Sequence, residues 1–111
     1  MTQEAKHKRD FRRSGKWTKF RKLLKKERKV DPITGSPLTA RCQCHHCCMA
    51  DDQYENLNPD WFEMLNPKSH DLIHFLFATR DWRRALQEVE RILEKMELLN
   101  RSTDELNSDF C

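Results

Sequence analysis

The chain is short of glycine, of long apolar runs and of paired cysteines. Its 111 residues include only two glycines, and hydrophobic residues make up 37% of the total. A bilayer-spanning helix needs about 20 mostly apolar residues in succession, and no such run occurs. No cationic segment followed by an apolar stretch and a small-residue cleavage site opens the chain, so a secreted product is not expected. No internal repeat is visible, which removes solenoid architectures. The five cysteines are an odd number, and Cys42, Cys44, Cys47 and Cys48 crowd into one short stretch. Such close neighbours cannot staple distant segments, so they are expected to be reduced thiols of a cytoplasmic protein. Their roles are then metal ligation or small buried hydrophobes.

What is present is charge, unevenly placed. The net charge of +3 divides into 13 Lys/Arg against Glu4, Asp10 and Glu27 in residues 1–30, and 8 Lys/Arg against 15 Asp/Glu in residues 31–111. The first segment therefore carries +10 and the remainder −7. A cationic arm on a mildly acidic body most often meets a polyanion, nucleic acid above all. A solvated tail is the other reading of such an arm.

Residues 1–13 show no apolar periodicity and are expected to be mobile. Ser14 is a suitable N-cap, and Trp17, Phe20, Leu23 and Leu24 recur at helical spacing, predicting an amphipathic helix over 15–29. The segment Asp31-Pro32-Ile33-Thr34-Gly35-Ser36-Pro37 predicts a chain reversal. Residues 38–46 are expected to be extended, 51–60 a polar loop, and 61–65 a second extended segment. Asn66-Pro67 reads as an N-cap followed by Pro at the first helical position, opening a helix to about Phe77. Thr79 is expected to cap a further helix whose apolar stripe is Trp82, Leu86, Val89, Ile92, Leu93 and Met96. That stripe is suited to core cover, to self-association as a homodimer, or to a protein partner. Residues 100–111 show no clear element.

The chemistry-bearing residues are two histidine pairs. His70 and His74 lie four apart on a predicted helix, so both project from one face and can chelate one ion. His45 and His46 are adjacent on an extended segment, so they point to opposite sides. One can then be a metal ligand and the other a general base. A rival arrangement is a closed structural zinc site built from Cys42 or Cys44 with Cys47, His70 and His74.

Two segments, "CHHC" at 44–47 and "LNPKSHDLIHFL" at 65–76, resemble the HNH nucleases, the ββα-metal fold shared with colicin DNase domains. The interval from His45 to His70, 25 positions, is that of the colicin enzymes. "DPITGSPL" at 31–38 is similar to the turn that enters the first strand in small, often phage-encoded, HNH proteins. The resemblance covers roughly residues 16–77 and implies an α+β fold. It comprises a basic arm and amphipathic helix at 1–30, an HNH-like ββα-metal core at 31–78, a C-terminal amphipathic helix at 79–100 and a tail at 101–111. It implies a metal-dependent endonuclease acting on DNA phosphodiester bonds in the cytoplasm of a bacterial, or phage-infected, cell.

By the same resemblance, His45, His70 and His74 would hold one divalent ion and His46 would activate water. Three neutral imidazoles suit Zn, Ni, Co or Mn better than Mg. Phosphate contacts would come from Arg12, Arg13, Lys16, Lys19, Arg21, Lys22, Lys25, Lys26, Arg28 and Lys29. The family's Asn, which orients the general base, is expected nine positions before the first helix histidine. Trp61 stands there, leaving Asn58 as the candidate for that role. The departure keeps other readings open: an inactive HNH-fold module that binds nucleic acid or protein, such as a phage regulator or inhibitor, or a structural-zinc interaction protein.

Overall fold

A computed structural model of the chain describes residues 2–106, with side chains described through Arg101. It is a small α+β protein. Four α-helices are present among the described residues: α1 (Gln3–Arg12), α2 (Gly15–Arg28), α3 (Pro67–Ala78) and α4 (Trp82–Leu106). With them is an antiparallel two-stranded sheet of β1 (Gln43–His46) and β2 (Phe62–Leu65). The chain divides into two compact units, one ending at Leu72 and the other starting at Ile73. No described helix is long and apolar enough to cross a membrane.

In the first unit the sheet register pairs Cys44 with Met64 and His46 with Phe62, so these four share one face. Met64 and Phe62 are fully buried there, with Phe11, Trp17, Leu24 and Cys42. Ser14 caps α2 by accepting from the Trp17 N–H at 3.3 Å, a type of bond whose loss costs about 1 kcal/mol. The cap fixes the phase of the helix, and Trp17 and Leu24 turn inward while most of its lysines stay in solvent. At the C-cap, Lys29 adopts φ 68°, the left-handed region that favours glycine, and this redirects the chain into the Val30–Pro37 bridge.

Residues 1–13 differ from the expected mobile tail. Thr2 caps α1 by accepting from Ala5 N–H at 3.0 Å, and Phe11 is buried against Trp17 and Tyr54. A single apolar anchor carries no periodicity, so charge dominated the sequence pattern. His7, expected in the tail, lies on α1 with Nε2 2.8 Å from Glu55.

The expected extended segment over 38–46 narrows to Gln43–His46, because residues 40 and 41 turn and Cys42 N–H bonds to Thr39 C=O. Trp61 closes a 3₁₀ turn, Pro59–Trp61, instead of opening β2. A second 3₁₀ turn, Asp51–Gln53, stands in the expected polar loop.

In the second unit, α4 is capped by Asp81, whose Oδ1 accepts from Arg84 N–H at 3.1 Å. Thr79, the expected cap, instead donates its hydroxyl to the Phe75 carbonyl at 2.8 Å and finishes α3. The final helix runs on to Leu106, through residues that lack the apolar spacing on which the expected end near 100 rested. The end of the expected tail, 107–111, lies outside the described residues.

Candidate metal centre

The turn at 31–35 and the start of α3 are joined through one carboxylate. Asp31 is fully buried; its Oδ1 accepts from Ile33 N–H at 2.7 Å and Thr34 N–H at 3.1 Å. Its Oδ2 accepts from Asn66 N–H at 2.7 Å, and the Ser69 hydroxyl adds a further hydrogen bond. Burial pulls the pKa of this carboxyl upward. The hydrogen bonds from Asn66, Ser69, Thr34 and Ile33 outweigh that effect and hold it below its ordinary value. Asn66 completes the tie by accepting from Thr39 N–H at 2.8 Å and donating to Pro37 C=O at 3.1 Å. The first turn of α3, which carries His70, is thereby fastened to the segment leading into β1.

Along α3 one helical turn separates His70 from His74, and β1 places His45 on the face opposite Cys44 and His46. The His45 and His70 rings meet edge to face, centroids 5.1 Å apart. One ligand atom from each of His45, His70 and His74 lies within 4.8 Å of the other two. His45 and His70 are half-buried and His74 is exposed, so the group opens to solvent. Three imidazole nitrogens converging from a strand and a helix fit a divalent transition ion or zinc.

The rival arrangement would need cysteines beside His70 and His74. No cysteine belongs to the histidine group among the described residues. Cys42 is buried in the core, and Cys44 points to the core face, opposite His45. Burial pushes the Cys44 thiol up to about 12 despite the opposing pull of the Arg21 and Arg28 guanidiniums. Burial also raises the Cys47 thiol.

His46 occupies an aromatic slot. Its ring stacks on Tyr54 (centroids 4.4 Å, interplanar 9°) and on Trp17 (5.2 Å, 12°), with Phe62 tilted at 4.7 Å. Nε2 lies 3.3 Å from the Tyr54 carbonyl. Burial lowers its pKa against the raising effect of that hydrogen bond, and the charges of Arg12 and Lys8 add to the lowering. The balance favours the neutral imidazole.

Asn58, the sequence candidate for orienting His46, uses its side chain locally: Oδ1 accepts from Asp60 N–H at 3.1 Å. Tyr54, which sequence reasoning overlooked, supplies the carbonyl instead. A lone tyrosine in a polar loop carries no spacing signal.

The ten basic candidates divide into two sets. Arg21 donates to the Cys42 carbonyl, and Arg28 donates to the Pro59 and Phe62 carbonyls at 2.9 and 3.1 Å, so both hold the fold. Arg12, Arg13, Lys16, Lys19, Lys22, Lys26 and Lys29 are exposed, and Lys25 is half-buried. Lys19, Lys22 and Lys26 line one shallow groove on α2. Comparisons with protein-family models, curated proteins and solved structures give no match for this chain.

Proposed function

We propose that the protein is a divalent-metal-dependent nuclease of the HNH type, with a ββα-metal core, that hydrolyses DNA phosphodiester bonds. The convergence of His45, His70 and His74 within 4.8 Å is the observation that carries this reading. These three side chains would hold one ion, with zinc, nickel or manganese suiting imidazole ligands better than magnesium. When bound, such an ion supplies Lewis acidity to a phosphodiester. His46, next in sequence to a ligand and on the opposite strand face, would accept the proton of the attacking water. The exposed lysines of α2 would hold the phosphate backbone, giving affinity without sequence choice. Four free cysteines among the described residues suit the reducing cytoplasm of a bacterial cell.

Plasmid nicking with added manganese, nickel or magnesium, run beside His46→Ala, tests the reading. Metal-dependent nicking that the substitution abolishes supports it. Equal inertness of both proteins, with metal still bound, overturns it. The second reading, a metal-built module that binds without cutting, rests on Trp61 at the expected Asn position and on Asn58 being engaged as a cap. DNA binding without cleavage in that assay selects it.

The partner that goes with either reading, besides DNA, is a second copy of this chain across α4. Trp82, Leu86, Val89, Leu93 and Met96 follow the alternating four-three spacing of a coiled-coil seam, and all are exposed. Arg80, Arg83 and Arg84 sit at one end, while Glu88, Glu90, Glu94 and Glu97 lie beyond. An antiparallel pair sets the basic end of one copy against the acidic stretch of the other.

A further inference from the structure

We infer that Trp17 and Tyr54 form an aromatic clamp that fixes the ring plane and tautomer of His46, so that both are positioning residues for hydrolysis. The inference rests on the nuclease reading for its catalytic meaning and on geometry for its substance. The His46 ring lies nearly parallel to both neighbours, 12° from Trp17 and 9° from Tyr54, with centroids 5.2 and 4.4 Å away. Its cross-strand partner Phe62 closes a third side at 4.7 Å. Rotation of the ring about its Cβ–Cγ bond would drive its edge into one stacked ring or the other.

The fourth constraint is polar. A backbone carbonyl can only accept, so the 3.3 Å approach of Nε2 to the Tyr54 oxygen places the proton on Nε2. In the neutral ring Nδ1 then carries the lone pair, the atom able to receive a proton from water.

Tyr54 belongs to a loop, and a loop residue positions nothing unless it is itself held. Here α1 holds it. Lys8 pairs with Asp51 and lies 5.2 Å from the Tyr54 ring centroid. Phe11 meets Tyr54 edge to face at 5.8 Å, and His7 reaches Glu55 at 2.8 Å. The other jaw, Trp17, is a core residue of α2 and contacts Phe11 and Phe62. The basic arm thus builds the back wall of the candidate general base as well as offering lysines to phosphate. Small misplacement of a base costs large factors in rate, which gives such a wall a function beyond stability.

Trp17 is buried, so its replacement risks the fold, and the test turns on Tyr54. Long-range ¹H–¹⁵N correlation on the full chain labelled at histidine reads the tautomer of His46, and its ring protons report the stacked neighbours. The wild type is expected to show Nε2–H and upfield-shifted ring protons. Tyr54→Phe, which retains ring and carbonyl, is expected to match it. Tyr54→Leu is expected to lose the upfield shifts and to lower kcat at least tenfold. Its KM for plasmid and its zinc-induced rise in Tm should stay unchanged.

An Nδ1–H tautomer in the wild type overturns the clamp. So do ring shifts or a kcat unaffected by Tyr54→Leu. Failure of the nuclease reading shows separately, as absence of His46-dependent cleavage by the wild type, and the spectra do not depend on that result.

Discussion

Asp31 is the residue on which the site's supporting frame converges. Three backbone N–H groups from two chain segments point at its carboxylate, and Ser69 adds a hydroxyl. Asp31→Ala leaves those buried donors without an acceptor, at an expected cost of about 3 kcal/mol in urea denaturation. The pH dependence follows from the lowered pKa. A group depressed on folding contributes stability that is complete above its unfolded value, near 3.8, and is lost as pH falls through the folded value. The Tm of the wild type is therefore expected to drop as pH falls below about 4. Asp31→Asn should already be less stable at neutral pH and should flatten that fall.

The three converging imidazoles, as candidate ligands, make an equally specific expectation. Zinc at a hundredfold excess over its Kd is expected to stabilise the wild type by about 2.7 kcal/mol. His70→Ala should lose most of that gain in thermal denaturation. Cys44→Ser should keep it, because Cys44 lies on the other strand face. Loss of the zinc effect in Cys44→Ser would return the structural-zinc reading.

Among the elements, α2 presents two distinct faces, one packed and one solvated. Trp17 and Leu24 enter the core, and Arg28 donates to carbonyls at the start of β2 and in the turn before it. Removing residues 1–30 would strip Phe11, Trp17 and Leu24 together, so that deletion is expected to unfold the first unit rather than only weaken DNA binding. The informative change is on the outer face. Lys16, Lys19, Lys22 and Lys26 replaced by Gln should leave Tm within a few degrees while weakening DNA binding. Losing about four phosphate contacts should reduce the slope of log K against log salt by about 3.6 on duplex DNA. An unchanged slope removes α2 from the DNA interface. Arg28→Ala belongs to the inner face and should lower Tm, since two backbone carbonyls lose their donor.

For the molecule as a whole, the exposed apolar seam of α4 bears on oligomeric state. Its seam residues are 39–57% exposed in a single copy, a large apolar surface for so small a chain. Light scattering after size exclusion is expected to give a dimer. Leu93→Glu should return a monomer with an unchanged zinc-induced Tm rise. Pairing Arg83→Glu with Glu97→Arg should restore association that either substitution alone weakens, because the two charges exchange ends in an antiparallel pair. A monomeric wild type overturns the pairing.

Much of this was legible in the residues alone, where a pattern repeats or a local rule acts. The Ser14 cap, the α2 periodicity, the Asn66-Pro67 opening of α3 and the four-residue spacing of His70 and His74 each depend on neighbours a few positions away. Alternation along β1 likewise separates His45 from His46, a purely local rule. Other features required the tertiary structure, because they join residues that are distant in sequence. Asp31 meets Asn66, Phe11 and Trp17 meet Tyr54 and His46, and Arg28 reaches the Phe62 carbonyl. The expected mobile arm became a helix for the same reason: the burial of Phe11 is a long-range contact with no periodic trace. Residue type and local spacing are enough to say which side chains could bind a metal and which elements would carry them. Only packing decided that three imidazoles converge, that the cysteines stay out, and that the fourth histidine is held between two aromatic rings.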